Sequence, residues 1–259
     1  MQQTGFILPS GYRLIFHEDI NSTNTEALRL AAQGEDSGLW VWAARQSAGK
    51  GRAGRDWVSP PGNLFASLLL RPRVPLATVL QLSLVAGIAA HDALTGLVRE
   101  QGRQLDIRLK WPNDILLGEA KLGGILLESA SGVAGAAEPA VVIGTGVNLA
   151  YAPDNLDRPV ASLAGAGCPV APDAAFAALA WATAEWIARW QNGIGFDIIR
   201  AAWAERAQPV GQPISVNLGT GRISGTFLGI DEAGALRLSL ASGEERRILA
   251  GDVLIGAGA

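Results

Sequence analysis

The residues best suited to chemistry lie between positions 45 and 57. Gly49, Gly51 and Gly54 alternate there with Lys50, Arg52 and Arg55, and Trp57 follows. Glycines let backbone N–H groups approach a guest closely. The cations supply charge for an anion, and the indole offers a flat face to a ring. Together they suit a phosphate carrying an aromatic base. Gly49-x-Gly51-x-x-Gly54 has the spacing of a dinucleotide turn, but such a turn opens a helix. Pro60-Pro61 denies one here. A phosphate loop of the Gly-Lys-Ser/Thr type fails because Gly51 follows Lys50. A kinase reading lacks its lysine strand, catalytic loop and Asp-Phe-Gly triplet. Taken alone, the segment reads equally well as an exposed basic loop.

Four further polar intrusions accompany it. Ser22-Thr23-Asn24 precedes an apolar helical run, and Thr23 with Glu26 forms a capping-box pattern. Hydroxyls beside free helix N–H groups equally suit a small polar head group. Lys110-Trp111-Pro112-Asn113-Asp114 leaves Asn113 and Asp114 at a proline-forced bend. Lys121 sits in an apolar strand just before Gly123-Gly124. One lysine there reads as an edge-strand charge, whereas paired glycines mark close approach of a backbone or ligand. Gly144-Thr145-Gly146-Val147-Asn148 interrupts another apolar strand. His17, His91 and Cys168 have no metal-like or catalytic partners in the sequence and read as structural.

The elements that must position these groups follow from periodicity. Strands are predicted at Tyr12–Phe16, Trp40–Ala44, Asn63–Leu70, Leu109–Leu117 with a bend, Ala120–Glu128 and Val141–Leu149. The glycine loop therefore joins two strands. Gly118-Glu119 makes a hairpin turn, and an Ala/Gly-rich loop spans residues 130–137. Helices are predicted over residues 27–32, 79–98, 172–190 and 196–207, the second apolar on nearly every side. From Pro209 short alternating strands suggest a small SH3-like barrel. This gives an α+β chain with residues 1–207 and 208–259 as its two units.

Composition narrows the class. With 49% hydrophobic and 17% charged residues, the chain is an ordered globular protein. A net charge of −3 argues against general nucleic-acid binding. A single cysteine excludes an internal disulfide and fits a reducing compartment. No secretory signal is evident, and residues 174–182, read as the longest apolar run, fall short of a membrane span. The expectation is a cytoplasmic protein.

These motifs, in this order and spacing, resemble the biotin protein ligases, and the resemblance runs from about Tyr12 onward. About sixteen residues precede the matched part, which resembles the ligase-only form without an N-terminal repressor domain. The resemblance implies a class II synthetase-like catalytic fold, a mixed sheet with packed helices, and a terminal barrel. It implies a two-step reaction in which ATP activates biotin as biotinyl-5′-adenylate, and a lysine of a biotin carboxyl carrier protein then displaces AMP. By the same resemblance Ser22, Thr23, Asn24, Gln46, Gly49, Lys121 and Gly124 would hold biotin. Lys50, Gly51, Arg52, Arg55, Trp57, Asn113, Lys121 and Asn148 would hold the nucleotide, with Trp57 and Asn148 at the adenine. Lys121, Arg52 and Asp114 would be the catalytic groups. Lys50 stands where the family usually has arginine, exchanging a bidentate fork for a point charge. Mg2+ would come with the nucleotide, and no metal cage of the protein's own is expected. The protein would be a monomer or homodimer without DNA or membrane partners. A lipoate-protein ligase shares this logic, but its Arg-Arg-x-Ser-Gly-Gly-Gly signature is absent. A non-catalytic nucleic-acid-binding protein using the terminal barrel is the other rival.

Overall fold

A computed structural model describes residues 7–130, 140–154, 158–219 and 221–255. The Ala/Gly-rich loop at 130–137 lies almost wholly outside these residues. The elements in order are β1 (Arg13–Ile20), α1 (Thr23–Ala32), β2 (Leu39–Gln46), β3 (Leu64–Leu70), α2 (Leu76–Val79), α3 (Leu82–Glu100), β4 (Ile107–Lys110), β5 (Asp114–Leu117), β6 (Ala120–Ala130) and β7 (Ala140–Val147). There follow α4 (Pro172–Trp190), α5 (Phe196–Arg206), β8 (Pro213–Asn217), β9 (Arg222–Ile230), β10 (Leu236–Ser239), β11 (Glu245–Ile248) and β12 (Asp252–Ile255).

β1 to β7 form one sheet in the order β1-β2-β3-β7-β6-β5-β4. Only β1 and β2 run parallel. Side chains alternate across such a sheet, and the two faces have different neighbours. Trp40, Trp42, Leu68, Ile143 and Ile125 point into the larger core with α3, α4 and α5. Trp42 stacks on Phe176 of α4, ring centres 4.9 Å apart. Leu39, Val41, Leu69 and Val142 point the other way, against Ala27, Leu30 and Ala31 of α1. The segment Leu76–Glu100 is long and apolar enough to cross a membrane, but 56% of its most apolar window is buried. α3 is apolar all round because the sheet, α4 and α5 surround it.

Asp92 ties these helices together. Its carboxylate accepts from Arg206 Nε at 2.6 Å and from Trp186 Nε1 at 3.1 Å, and His91 lies at 3.0 Å. Burial alone would raise its pKa, but the His91, Arg206 and Trp186 contacts hold it at about 2.

The C-terminal strands form an antiparallel sheet in the order β11-β10-β9-β8-β12. The expected barrel is not closed: β11 and β12 stay unpaired at opposite edges among the described residues. Short strands twist a sheet toward closure, yet these two do not meet.

Candidate active site

α1 leaves part of its face of the sheet open, and the predicted motifs gather there. The cap of α1 is Ser22, not Thr23: Ser22 Oγ accepts the Thr25 N–H at 3.4 Å. Glu26 pairs instead with Arg29. Thr23 is thereby free of capping, and its side chain meets Ser67 Oγ at 2.7 Å and Gln46 Oε1 at 3.1 Å. The Thr23 N–H also donates to Gln46 Oε1, at 2.8 Å. Gln46 Nε2 donates to Ser59 Oγ, which donates to the Trp57 carbonyl. Gly49 packs behind this row, where a Cβ would lie 2.4 Å from Ser59 Oγ and from the Trp57 oxygen.

The floor is made by strand residues that lack side chains. A Cβ on Gly144 would lie 2.2 Å from Asn24 Oδ1, and one on Gly146 would lie 2.7 Å from Trp57 Nε1. The indole of Trp57 thus packs directly against the bare backbone of Gly146 on β7, and no larger residue at 146 would admit it. Lys121 Nζ stands 5.4 Å from the centre of that ring, within cation–π range.

Lys121 arrives by a bulge. β5 and β6 pair Ile115 with Gly123 but Leu116 with Lys121, so Leu122 is the extra residue. Without the bulge Lys121 would share a face with Ile125; with it, Leu122 enters the α3 core and Lys121 turns to the cleft. β6 lies between β5 and β7, which removes the edge-strand reading of this lysine. The Lys121 ammonium forms a buried ion pair with Asp114 Oδ1, and Lys110 Nζ lies 3.0 Å from Oδ2. Burial would raise the Asp114 pKa, but the two lysines hold it at about 2. The Lys121 pKa is lowered, first by burial and further by Arg158 and Lys110, with Asp114 offsetting only part. The two directions agree once the charges are counted: one carboxylate serves two ammonium groups. The excess positive charge leaves room for an anion.

The glycine loop closes the other wall. Gly51, Arg52 and Asp56 are held by the Gly51–Arg55 hydrogen bond and a Lys50–Asp56 bridge. Arg52 Nη1 donates to Asn113 Oδ1 at 2.9 Å, and Asn113 Nδ2 donates to the Ile125 carbonyl at 2.7 Å. The C-terminal sheet reaches the same place. Arg52 lies 3.4 Å from the Gly251 carbonyl, Arg55 pairs with Asp252 at 3.0 Å, and Lys110 donates to the Val253 carbonyl at 2.9 Å.

One cleft of about 620 Å³, its open mouth included, is lined by Ser22, Thr23, Asn24, Gln46, Lys50, Gly51, Arg52, Arg55, Trp57, Asn113, Lys121 and Gly124. Asp114 lines the adjoining hollow with Lys110. Asn148 stands apart: it is buried and gives its Nδ2 to the Ala161 carbonyl at 3.1 Å. Sequence reasoning missed Phe65, Ser67, Arg158 and Asp252. A serine inside the apolar run Leu64–Leu70 was a signal for Ser67; Asp252 had none. Among the described residues no group of three or more His, Cys, Asp or Glu side chains is placed to hold a metal.

Residues 16–148 match the biotin/lipoate A/B protein ligase family, and residues 210–256 match the biotin protein ligase C-terminal domain. A biotin–[acetyl-CoA-carboxylase] ligase of Paracoccus denitrificans is 44% identical over 87% of this chain and 93% of its own. The chain belongs to the biotin protein ligase family. This family member is also 34% identical to the bifunctional ligase/repressor of Bacillus subtilis, over 95% of this chain and 75% of that one. The biotin protein ligase of Aquifex aeolicus, solved with biotin and ATP, superposes with a TM-score of 0.79 at 26% identity, covering 93% of this chain and 97% of that one.

Proposed function

We propose that this protein activates biotin with ATP as biotinyl-5′-adenylate and transfers the biotinyl group to a lysine of a biotin carboxyl carrier domain. The observation that carries the reading is a single cleft with two chemically different ends. At one end Ser22, whose oxygen caps α1, keeps its proton for a ligand carbonyl, while Thr23, with Gln46 Oε1 placed to accept its hydroxyl proton, offers its oxygen to an N–H group. A cyclic urea presents that complement; a dithiolane ring, as in lipoate, has neither donor nor acceptor. Phe65 and Leu126 line the apolar middle. At the other end the Lys121–Asp114–Lys110 cluster and Arg52 hold surplus positive charge.

The chemistry then follows from charge. In the first step the biotin carboxylate oxygen bonds to the α-phosphorus as pyrophosphate leaves with the electrons of the broken P–O bond; Mg2+ brought by the nucleotide would supply charge screening for its phosphates. No base is needed, since the nucleophile is already ionised. Lys121 and Arg52 neutralise negative charge as it develops. Asp114, held at about 2, is too weak a base to take a proton near neutrality and acts by orienting Lys121. In the second step a neutral lysine amine adds to the acyl carbon of the mixed anhydride, its proton is lost to solvent, and AMP departs with the bonding pair. Trp57 offers its ring face for the adenine.

Residues 1–207 would carry this chemistry and residues 208–259 would close over it through Gly251 and Asp252. We further propose that the reaction runs in the cytoplasm, without DNA or membrane partners. The test is to incubate the protein with biotin, ATP and a carrier domain and weigh the product. One biotinyl increment on a single carrier lysine is expected; an unmodified carrier would sink the reading.

A further inference from the structure

We infer that Lys50 is a self-modification site: in the absence of a carrier its amine takes the biotinyl group from the adenylate held in the same cleft. The inference rests on the proposed function and goes one step past it. A protein that makes a lysine-acylating agent meets it first with its own amines. Of the 21 basic side chains in this chain only three are lysines, Lys50, Lys110 and Lys121, and the rest are arginines. A guanidinium stays charged and has no free electron pair to acylate. The three lysines are not scattered over the surface. Lys50 and Lys121 line the cleft, and Lys110 lines the hollow beside it with Lys121.

Their surroundings separate them. Lys110 and Lys121 are largely buried and share the Asp114 carboxylate as ammonium groups, which have no lone pair to attack with. Lys50 is exposed and makes no ion pair among the described residues. The loop backbone aims it. Gly51 is extended, at φ −110° and ψ 178°, and a Cβ on it would face the Arg55 carbonyl at 3.2 Å. Side chains alternate along extended backbone, so Lys50 and Arg52 both turn away from the Arg55 side of the loop. Arg52 reaches Asn113 on the cleft wall that way, and Lys50 stands two residues before it at the same mouth. The bridge between Lys50 and Asp56 fixes the point from which the side chain swings. The step needs nothing beyond biotin and ATP. Lys50 Nζ bonds to the acyl carbon of the mixed anhydride, the bond from that carbon to the phosphate oxygen breaks, and AMP leaves with the electron pair. The amine proton passes to solvent, and an amide remains on Lys50.

The test incubates the full chain with biotin and ATP, without carrier, and follows released pyrophosphate, intact mass and the labelled position by peptide mapping. Wild type should gain one biotinyl group, on Lys50. Lys50→Arg should lose that gain when labelling is compared per pyrophosphate released. A tethered group meets its target at an effective concentration of about millimolar, so serum albumin at roughly a tenth of that should leave the label in place. Pyrophosphate released with no gain in mass would overturn the inference. So would label on Lys110, Lys121 or the α-amine in place of Lys50, or labelling that albumin competes away, which would mean attack by escaped adenylate from solution. If Lys50→Arg fails to fold, the wild-type map decides alone. Wild type that releases no pyrophosphate in response to biotin would overturn the proposed function itself, and that readout precedes any labelling.

Discussion

Replacing Lys121 by alanine separates the chemical role of the buried cluster from its structural one. The two lysines hold the Asp114 carboxyl at about 2 instead of 3.8, which corresponds to about 2 kcal/mol of stabilisation. Lys110 stays 3.0 Å from the same carboxylate in the variant, so the loss of stability should be smaller than that. A domain stable by ~5–15 kcal/mol tolerates it. The loss of rate should be larger: removing one preorganised partner of developing charge costs about 10²–10³. Biotin-dependent exchange of pyrophosphate into ATP reads the rate, and thermal melting reads the fold. The pH profile adds a sign. The lowered pKa of Lys121 means that its charge is present at low pH and lost, as pH rises, sooner than for an ordinary lysine. A bound anion restores the pKa, so the alkaline limb of kcat/KM should lie below that of kcat. In the alanine variant the lower limb should vanish. A folded Lys121→Ala protein that exchanges pyrophosphate within threefold of wild type would refute this reasoning.

Arg52→Gly loses a charge-assisted contact of roughly 1.5–3 kcal/mol, so adenylate should still form but escape about one to two decades faster. Biotinylated serum albumin in a mixture with ATP and biotin would reveal the escape; albumin left unlabelled while adenylate forms would clear Arg52 of retention. Amide exchange over Ser47–Asp56 should slow when biotin and ATP are added, because the empty loop has few apolar anchors, and equal protection would count against closure. Asp92→Asn should cost about 1–2 kcal/mol of stability near neutrality, allowing for a side chain 31% exposed. Asp92 is depressed to about 2, so its contribution is present above 3.8 and lost as pH falls toward 2. The difference between the two denaturation midpoints should shrink over that interval; a constant difference would contradict the assignment.

The motifs that gather at the cleft were legible because each breaks a local pattern. Glycines and a lysine in apolar strands, and prolines after a basic loop, are visible without neighbours. Helix α4 matches its predicted span because Pro172 can only begin a helix and the apolar period runs unbroken to Trp190. The sequence reading of α1 failed at its cap: Thr23 and Glu26 fit the capping box, but Thr23 turns to the distant Ser67 and Gln46 and Glu26 to Arg29, which leaves the cap to Ser22. Asp252 and Gly251 escaped notice for a similar reason: Gly251 meets Arg52 across 199 positions, and nothing local in either segment marks the contact. The terminal strands were legible but the missing closure of their barrel was not, because alternation specifies strands and not closure.

In the proposed function the two-ended cleft couples a cyclic urea acid to ATP. The most direct measurement is ATP–pyrophosphate exchange by the purified protein with biotin, with lipoate, and with neither. Exchange that requires biotin is the predicted result. Exchange supported by lipoate alone, or none with biotin, would contradict it.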